Sequence, residues 1–200
     1  MSDHQYPSLR ELKKQFALTE TSRLLFPDAA EVPPSQSLRG MLGFAQETRV
    51  AFFSEKSRSE ALVFPILSEI MRRNAQHFSL YTGATLDVDK EKGLKGECDF
   101  VLSKSQQSIE VDSPVFCSIE VTNNFKLGIP QCVAQLLGAQ IFNQQDEVEL
   151  PFLYGGVTTG TEWLFLKMEG KTVVFDDRRY YLDSLPQLLG ALEAIVQKFV

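Results

Sequence analysis

The run Val115-Phe116-Cys117-Ser118-Ile119-Glu120-Val121 constrains the fold more than any other stretch. It is apolar enough to be a central strand, buried on both faces. Such a strand needs neighbours on either side and helices over the sheet. Two more strand signals precede it. Phe78-Ser-Leu-Tyr-Thr82 alternates apolar and polar residues, and Cys98-Asp-Phe-Val-Leu102 follows a charged turn over Asp87–Gly96. Ser103–Asp112 reads as a polar hairpin loop.

Helical spacing brackets these strands. Ser8-Leu9-Arg10-Glu11 is a capping box, with Leu9, Leu12 and Phe16 spaced for a helix over about 8–17. Pro27, Pro33, Pro34, Ser35 and Ser37 mark a loop over 27–37, and 38–53 is ambiguous. Ser54–Arg73 is the clearest helix, with Leu62, Ile66, Leu67 and Ile70 on one stripe and Pro65 expected to kink it or mark its start. Gly128-Ile129-Pro130 is expected to open a helix lined by Val133, Leu136, Leu137, Ile141 and Phe142. Its small residues Ala134, Gly138 and Ala139 allow it to lie close to a sheet. Strands are expected over Pro151–Thr158, Trp163–Met168 and Thr172–Phe175, and a closing helix over Leu185–Val200. Gly155-Gly156 is read as a bulge and Glu169-Gly170 as a turn. The class is α/β, a mixed sheet flanked by helices.

At 200 residues the chain has the size of one domain. No apolar run reaches the length of a membrane span, so no membrane partner is expected. The start Met1-Ser-Asp-His-Gln5 lacks a basic segment followed by an apolar one, so a cytoplasmic location is expected. Cys98, Cys117 and Cys132 are odd in number and lack C-x-x-C spacing, which argues against a disulfide framework or a zinc cage. They read as small buried hydrophobes. With His4 and His77 the only histidines, a His-rich metal site or a Ser-His-Asp triad would rest on His77 alone. Net charge is −6, so nucleic-acid contact would need a local basic patch, from the cations of 49–73 or from Lys90, Lys92 and Lys95. Lys90, Lys92 and Lys95 are interspersed with acids and read most simply as a solvated turn.

Two acidic residues stand out. Asp99 begins the second strand and Glu120 lies near the end of the third, on the face opposite Ile119 and Val121. If the strands are antiparallel neighbours, the two carboxylates converge. A carboxylate in an apolar strand needs a cation, a Lys or a raised pKa. Hard oxygen ligands of this kind suit Mg²⁺ or Mn²⁺. Glu60 on the long helix is a third candidate.

These elements resemble, in order and in residues, the PD-(D/E)XK nuclease superfamily. A helical Glu comes first (Glu60), then Asp99 in Gly96–Phe100, Glu120 in Ile119-Glu-Val-Thr122, and a helix with Gln131 near its start. The resemblance covers roughly 54–165. It implies a restriction-endonuclease-like αβββαβ core with extra N- and C-terminal helices. It divides the chain into a helical extension, 1–50, and a nuclease-like region, 51–200, within one globular domain. It implies Asp99 and Glu120 as ligands of Mg or Mn, Glu60 as an outer ligand and Gln131 as a helper. The implied partner is nucleic acid, and a homodimer is in keeping with related nucleases. The family's Lys, two residues after the Glu, is Thr122 here. Two readings follow. In one, Lys126 supplies the missing charge and the protein is a metal-dependent nuclease. In the other, the site has decayed and the domain is a binding or assembly module.

Overall fold

The computed structural model describes residues 8–74, 77–89, 93–105 and 108–199. His4, Lys90, Lys92 and Val200 lie outside the described residues.

The sheet is built outward from the apolar run. Strand β4 is Val115–Val121 and is buried along its whole length. On one side it pairs antiparallel with β3 (Glu97–Ser103), which pairs antiparallel with β2 (Ser79–Thr85) at the sheet edge. On the other side it pairs parallel with β5 (Leu153–Thr158). Antiparallel β6 (Glu162–Glu169) and β7 (Thr172–Tyr181) follow. A short strand β1 (Thr19–Arg23) pairs parallel with β7. The order across this seven-stranded mixed sheet is β1-β7-β6-β5-β4-β3-β2.

Helices cover both faces. On one face lie α1 (Leu9–Phe16) and α5 (Phe125–Gln145), where Leu12, Val133, Leu136 and Leu137 pack with Val101, Val157 and Leu166. On the other lie α2 (Gln36–Glu47), α4 (Phe64–Arg73) and α6 (Leu185–Val196), packed over Phe116, Ile119, Trp163 and Phe165. The stretch expected to be an extension thus contributes an edge strand and a helix to each layer. No described helix is long and apolar enough to cross a membrane.

The long helix forms as expected, with a local irregularity at the proline. Ser54 caps α3 (Glu55–Arg58) by accepting a hydrogen bond from Ser57 N–H. A wider π-helical turn, Ser59–Val63, then leads into α4, where Pro65 occupies the first turn. Proline has no N–H to donate and its ring crowds the preceding turn, and the widened turn accommodates both defects. Glu69 of α4 ties this layer together. It accepts from Ser35 N–H and Ser35 Oγ at 3.3 and 2.9 Å and is paired with Arg72 and Arg73. Burial alone would raise its pKa, but Ser35 and the two guanidiniums hold it below the ordinary value. Ser35 also caps α2.

Two expectations are corrected. Helix α5 begins at Phe125 rather than near Gly128, because Asn124 Oδ1 caps it by accepting from Lys126 N–H at 2.9 Å. Pro130 therefore lies inside the helix. Gly155-Gly156 is not a bulge, since β5 keeps its register with β4 and β6 through both residues. The glycines make room instead. A Cβ on Gly155 would stand 2.7 Å from Cys132 Sγ, and one on Gly156 2.5 Å from Ile119 Cδ1. The three cysteines are free and buried, as expected.

The loop before α2 crosses α6 at Gly190. A Cβ there would run into the backbone carbonyl of Ala30, which has no rotamer by which to retreat. Gly190→Ala should therefore lower unfolding stability by about 1–3 kcal/mol by overpacking, despite its gain in helix propensity. Urea denaturation monitored by Trp163 fluorescence is the check.

Candidate functional site

The antiparallel register pairs Phe100 with Ile119 and Val101 with Ser118. Continued by one pair, it sets Asp99 opposite Glu120 at the end of β3 and β4. Opposed residues point to the same face, with Cβ atoms about 4.5–5.5 Å apart. Both carboxyls line a cleft of about 940 Å³.

Each carboxyl is held through one oxygen. Asp99 Oδ2 accepts the Val121 N–H at 2.7 Å. Glu120 Oε2 accepts the Gln135 Nε2–H at 2.7 Å, and Gln135 Oε1 in turn accepts from Ser118 Oγ at 2.6 Å. Gln135 thus bridges the two residues, its amide oxygen accepting from Ser118 and its amide nitrogen donating to Glu120. Asp99 Oδ1 and Glu120 Oε1 have no hydrogen-bond partner among the described residues.

Burial pushes both acids up from their ordinary values. Glu120 is 5% exposed, and desolvation, then the Asp99 charge beside it, raise its pKa from 4.5 to about 8. Desolvation also raises Asp99, from 3.8 to about 6, against the Val121 hydrogen bond and with help from Glu55 and Glu97. Two like charges in a low-dielectric corner resist ionising together.

The remaining walls come from several elements. Glu55, Lys56, Ser59 and Glu60 arrive on α3 and the π-helical turn, Thr82 and Gly83 on β2, and Gln131 on α5. Gly83 adopts φ +62°, a left-handed conformation open to glycine, between Thr82 and Ala84, which pair with β3. The cleft wall is acidic, with Glu55, Glu60, Asp87, Glu97, Asp99 and Glu120 against Lys56 and Lys95. Such a wall attracts cations and repels bare phosphate.

The residues singled out in the sequence separate into two groups. Asp99, Glu120, Glu60 and Gln131 line the cleft together. Glu60, however, faces Lys56 at 3.9 Å across one helical turn. Among the described residues no group of three or more His, Cys, Asp or Glu side chains is arranged to hold a metal ion. Thr122 and Lys126 are not among the residues lining the cleft. Thr122 is 3% exposed, and its Oγ1 donates to Asn124 C=O at 3.0 Å and accepts Asn124 N–H at 3.1 Å. It packs so closely under α5 that a Cβ on Gly128 would stand 2.7 Å from Thr122 Cγ2. Its role is to fasten the β4–α5 corner. Lys126 is exposed in the first turn of α5, and His77 lies outside the cleft as well.

Sequence reasoning missed Glu55 and Glu97 as parts of the site, whereas Gln135, which the sequence places with Gln131 on one helix face where both could bond to neighbouring strands, does bond to Ser118 and Glu120. Glu97 had a signal, since it lies two residues before Asp99 on β3 and so shares its face. Glu55 had none, because its place depends on long-range contacts. Glu55 Oε2 accepts both Asn123 N–H and Asn123 Nδ2–H at 3.1 Å, and Arg58 donates to Asn123 Oδ1. These bonds clamp α3 onto the β4–α5 corner.

The raised acids tie stability to pH. The folded protein keeps protons that the unfolded chain releases near its ordinary pKa, so each deprotonation opposes folding. The contribution of Glu120 is fully present below about pH 4.5 and is lost as pH rises through about 8. In metal-free buffer Glu120→Gln should flatten the fall in Tm between pH 5 and 8.5, and calorimetry across that range checks it. An equally steep fall in the variant would contradict a raised Glu120.

No protein-family model matches the chain and no curated protein matches it by sequence, so the functional reading is drawn from the chemistry of the cleft.

Proposed function

We propose that the chain is a divergent nuclease of PD-(D/E)XK type, with a restriction-endonuclease-like core and a cleft that binds Mg²⁺ or Mn²⁺ and hydrolyses a nucleic-acid phosphodiester slowly. The observation that carries this reading is the cross-strand pair Asp99 and Glu120. Each is fixed through one oxygen, and each has a second without a hydrogen-bond partner among the described residues. The succession α4, β2, β3, β4, α5, β5 supports it, since it matches the αβββαβ order the resemblance implies.

The donor set fits a hard divalent cation. Mg²⁺ is held in most sites by one or two carboxylates, with water and phosphate oxygens completing the shell. The charge of the cation would also relieve the repulsion between two carboxylates buried side by side. When bound, it would lower the pKa of an attacking water and neutralise charge on the phosphate. Asp99 and Glu120 would hold it, and Gln135 keeps Glu120 turned toward it. In the hydrolysis a water oxygen bonds to phosphorus, the P–O bond to one sugar oxygen breaks, and that oxygen leaves protonated. Among the described residues, Lys56 and Lys95 are the cations on the cleft wall that can face the phosphate.

The reaction is expected to be slow. No ammonium occupies the motif position, and removal of one positioned transition-state donor costs about 10²–10³ in rate. The buried, hydrogen-bonded Thr122 is the observation that favours the second reading, a binding module without catalysis.

Purified protein with Mg²⁺ or Mn²⁺ on single- and double-stranded DNA and RNA is the test. Metal-dependent cleavage is expected, with Asp99→Ala reducing it at least about 100-fold and Lys95→Gln lowering kcat. No cleavage above the Asp99→Ala background would favour the binding module. Thr122→Lys is expected to lower Tm rather than increase cleavage, because its side chain would have to enter the packed corner beneath Gly128.

A further inference from the structure

An exposed aromatic surface lies beside the cleft. Phe44 on α2 is 64% exposed, and Phe52 and Phe53, in and just after the short 3-10 turn Val50–Phe52, are 69% and 80% exposed. Phe64 and Met41 are exposed as well. Large rings left in water at this density mark a surface that is covered in function.

What covers it is indicated by charge and by position. Residues 36–58 carry four cations, Arg39, Arg49, Lys56 and Arg58, against Glu47 and Glu55, a net +2 in a chain of net −6. The side chains of Arg39 and Arg49 are exposed and form no ion pair among the described residues. The turn after α2 therefore places one unpaired cation, Arg49, beside the exposed rings of Phe52 and Phe53. That surface runs into the cleft. Phe53 lies two residues before Glu55, and Glu55, Lys56 and Phe64 all line the cleft wall. A positively charged track with aromatic faces is the combination that holds single strands, because every base has a face to stack. In a duplex those faces are already stacked on one another.

We propose that Phe52 and Phe53 form a stacking platform that delivers a single strand of nucleic acid, in preference to a duplex, to the Asp99–Glu120 cleft. Delivery to the cleft rests on the nuclease reading; the platform itself does not. Arg49 holds the backbone phosphates outside the acidic wall, and the rings hold the bases. Arg49 turns the chain there, with φ +55° between α2 and the 3-10 turn.

The experiment measures fluorescence anisotropy of a labelled oligothymidine of about fifteen nucleotides and of a duplex of equal length. It is done in EDTA, where no cleavage occurs, with wild type, Phe52→Ala/Phe53→Ala and Arg49→Gln. Both rings are exposed, so the double variant should keep its Tm. The expected result is at least tenfold tighter binding of the single strand than of the duplex. The double variant should lose about tenfold or more in single-strand affinity, and Arg49→Gln should reduce the salt dependence. Unchanged single-strand affinity in the double variant would overturn the platform, even if Mn²⁺ still binds at Asp99 and Glu120. Ring-dependent strand binding without Mn²⁺ binding would support the platform and remove the nuclease reading instead. If no strand binds and the double variant converts a dimer to a monomer in sedimentation, the surface is a protein interface and the proposal fails.

Discussion

Helix α5 is fastened to β4 along its length, and the candidate site depends on that attachment. Near its C-terminal end, Asn143 exchanges two 2.7 Å hydrogen bonds with the backbone of Val115. In its middle, Gln135 joins Ser118 to Glu120. Near its start, Gly128 rides on Thr122 and Val157 with no room for a side chain. The parallel pairing of β4 and β5 requires a crossover of this kind, and glycines at 128 and 155 let the helix approach the sheet closely. With the helix so placed, Glu120 meets an amide at the correct distance, and its other oxygen is left toward the cleft.

The same geometry explains why a costly arrangement persists. A carboxyl at the end of a buried strand, beside a second carboxyl, loses solvation and gains repulsion. Neither is offset by a neighbouring lysine in the position that sequence resemblance would assign to one, since Thr122 is committed to the backbone of Asn124. Elsewhere the protein handles a buried acid differently. Glu69 is surrounded by Ser35, Arg72 and Arg73 and is stabilised as an anion. Glu69 is thus compensated by protein partners, whereas Glu120 has one amide donor and a neighbouring carboxyl that raises its pKa.

Much of this was legible in the sequence, for identifiable reasons. The central strand followed from an apolar run, and the long helix from a stripe at 62, 66, 67 and 70. The approach of Asp99 to Glu120 needed only an antiparallel hairpin. Strand β1 was invisible because all five residues, Thr19–Arg23, are exposed and polar, so no alternation marks it. The start of α5 was misplaced because Pro130 suits a first turn, whereas the capping Asn124 lies six residues earlier. The glycine pair was misread because close packing and a bulge leave the same sequence mark. The approach of Glu55 and Arg58 to the site depends on Asn123, sixty-eight and sixty-five residues away, and has no local signature.

The central claim is that Asp99 and Glu120 together hold a divalent cation. Titration calorimetry of Mn²⁺ at pH 7, repeated in two buffers of different ionisation enthalpy, tests it directly. The account predicts one site per chain, binding accompanied by net proton release as the raised acids ionise, and loss of both signals in Glu120→Gln. Binding of equal strength in that variant, or Mn²⁺ binding without proton release, would contradict it.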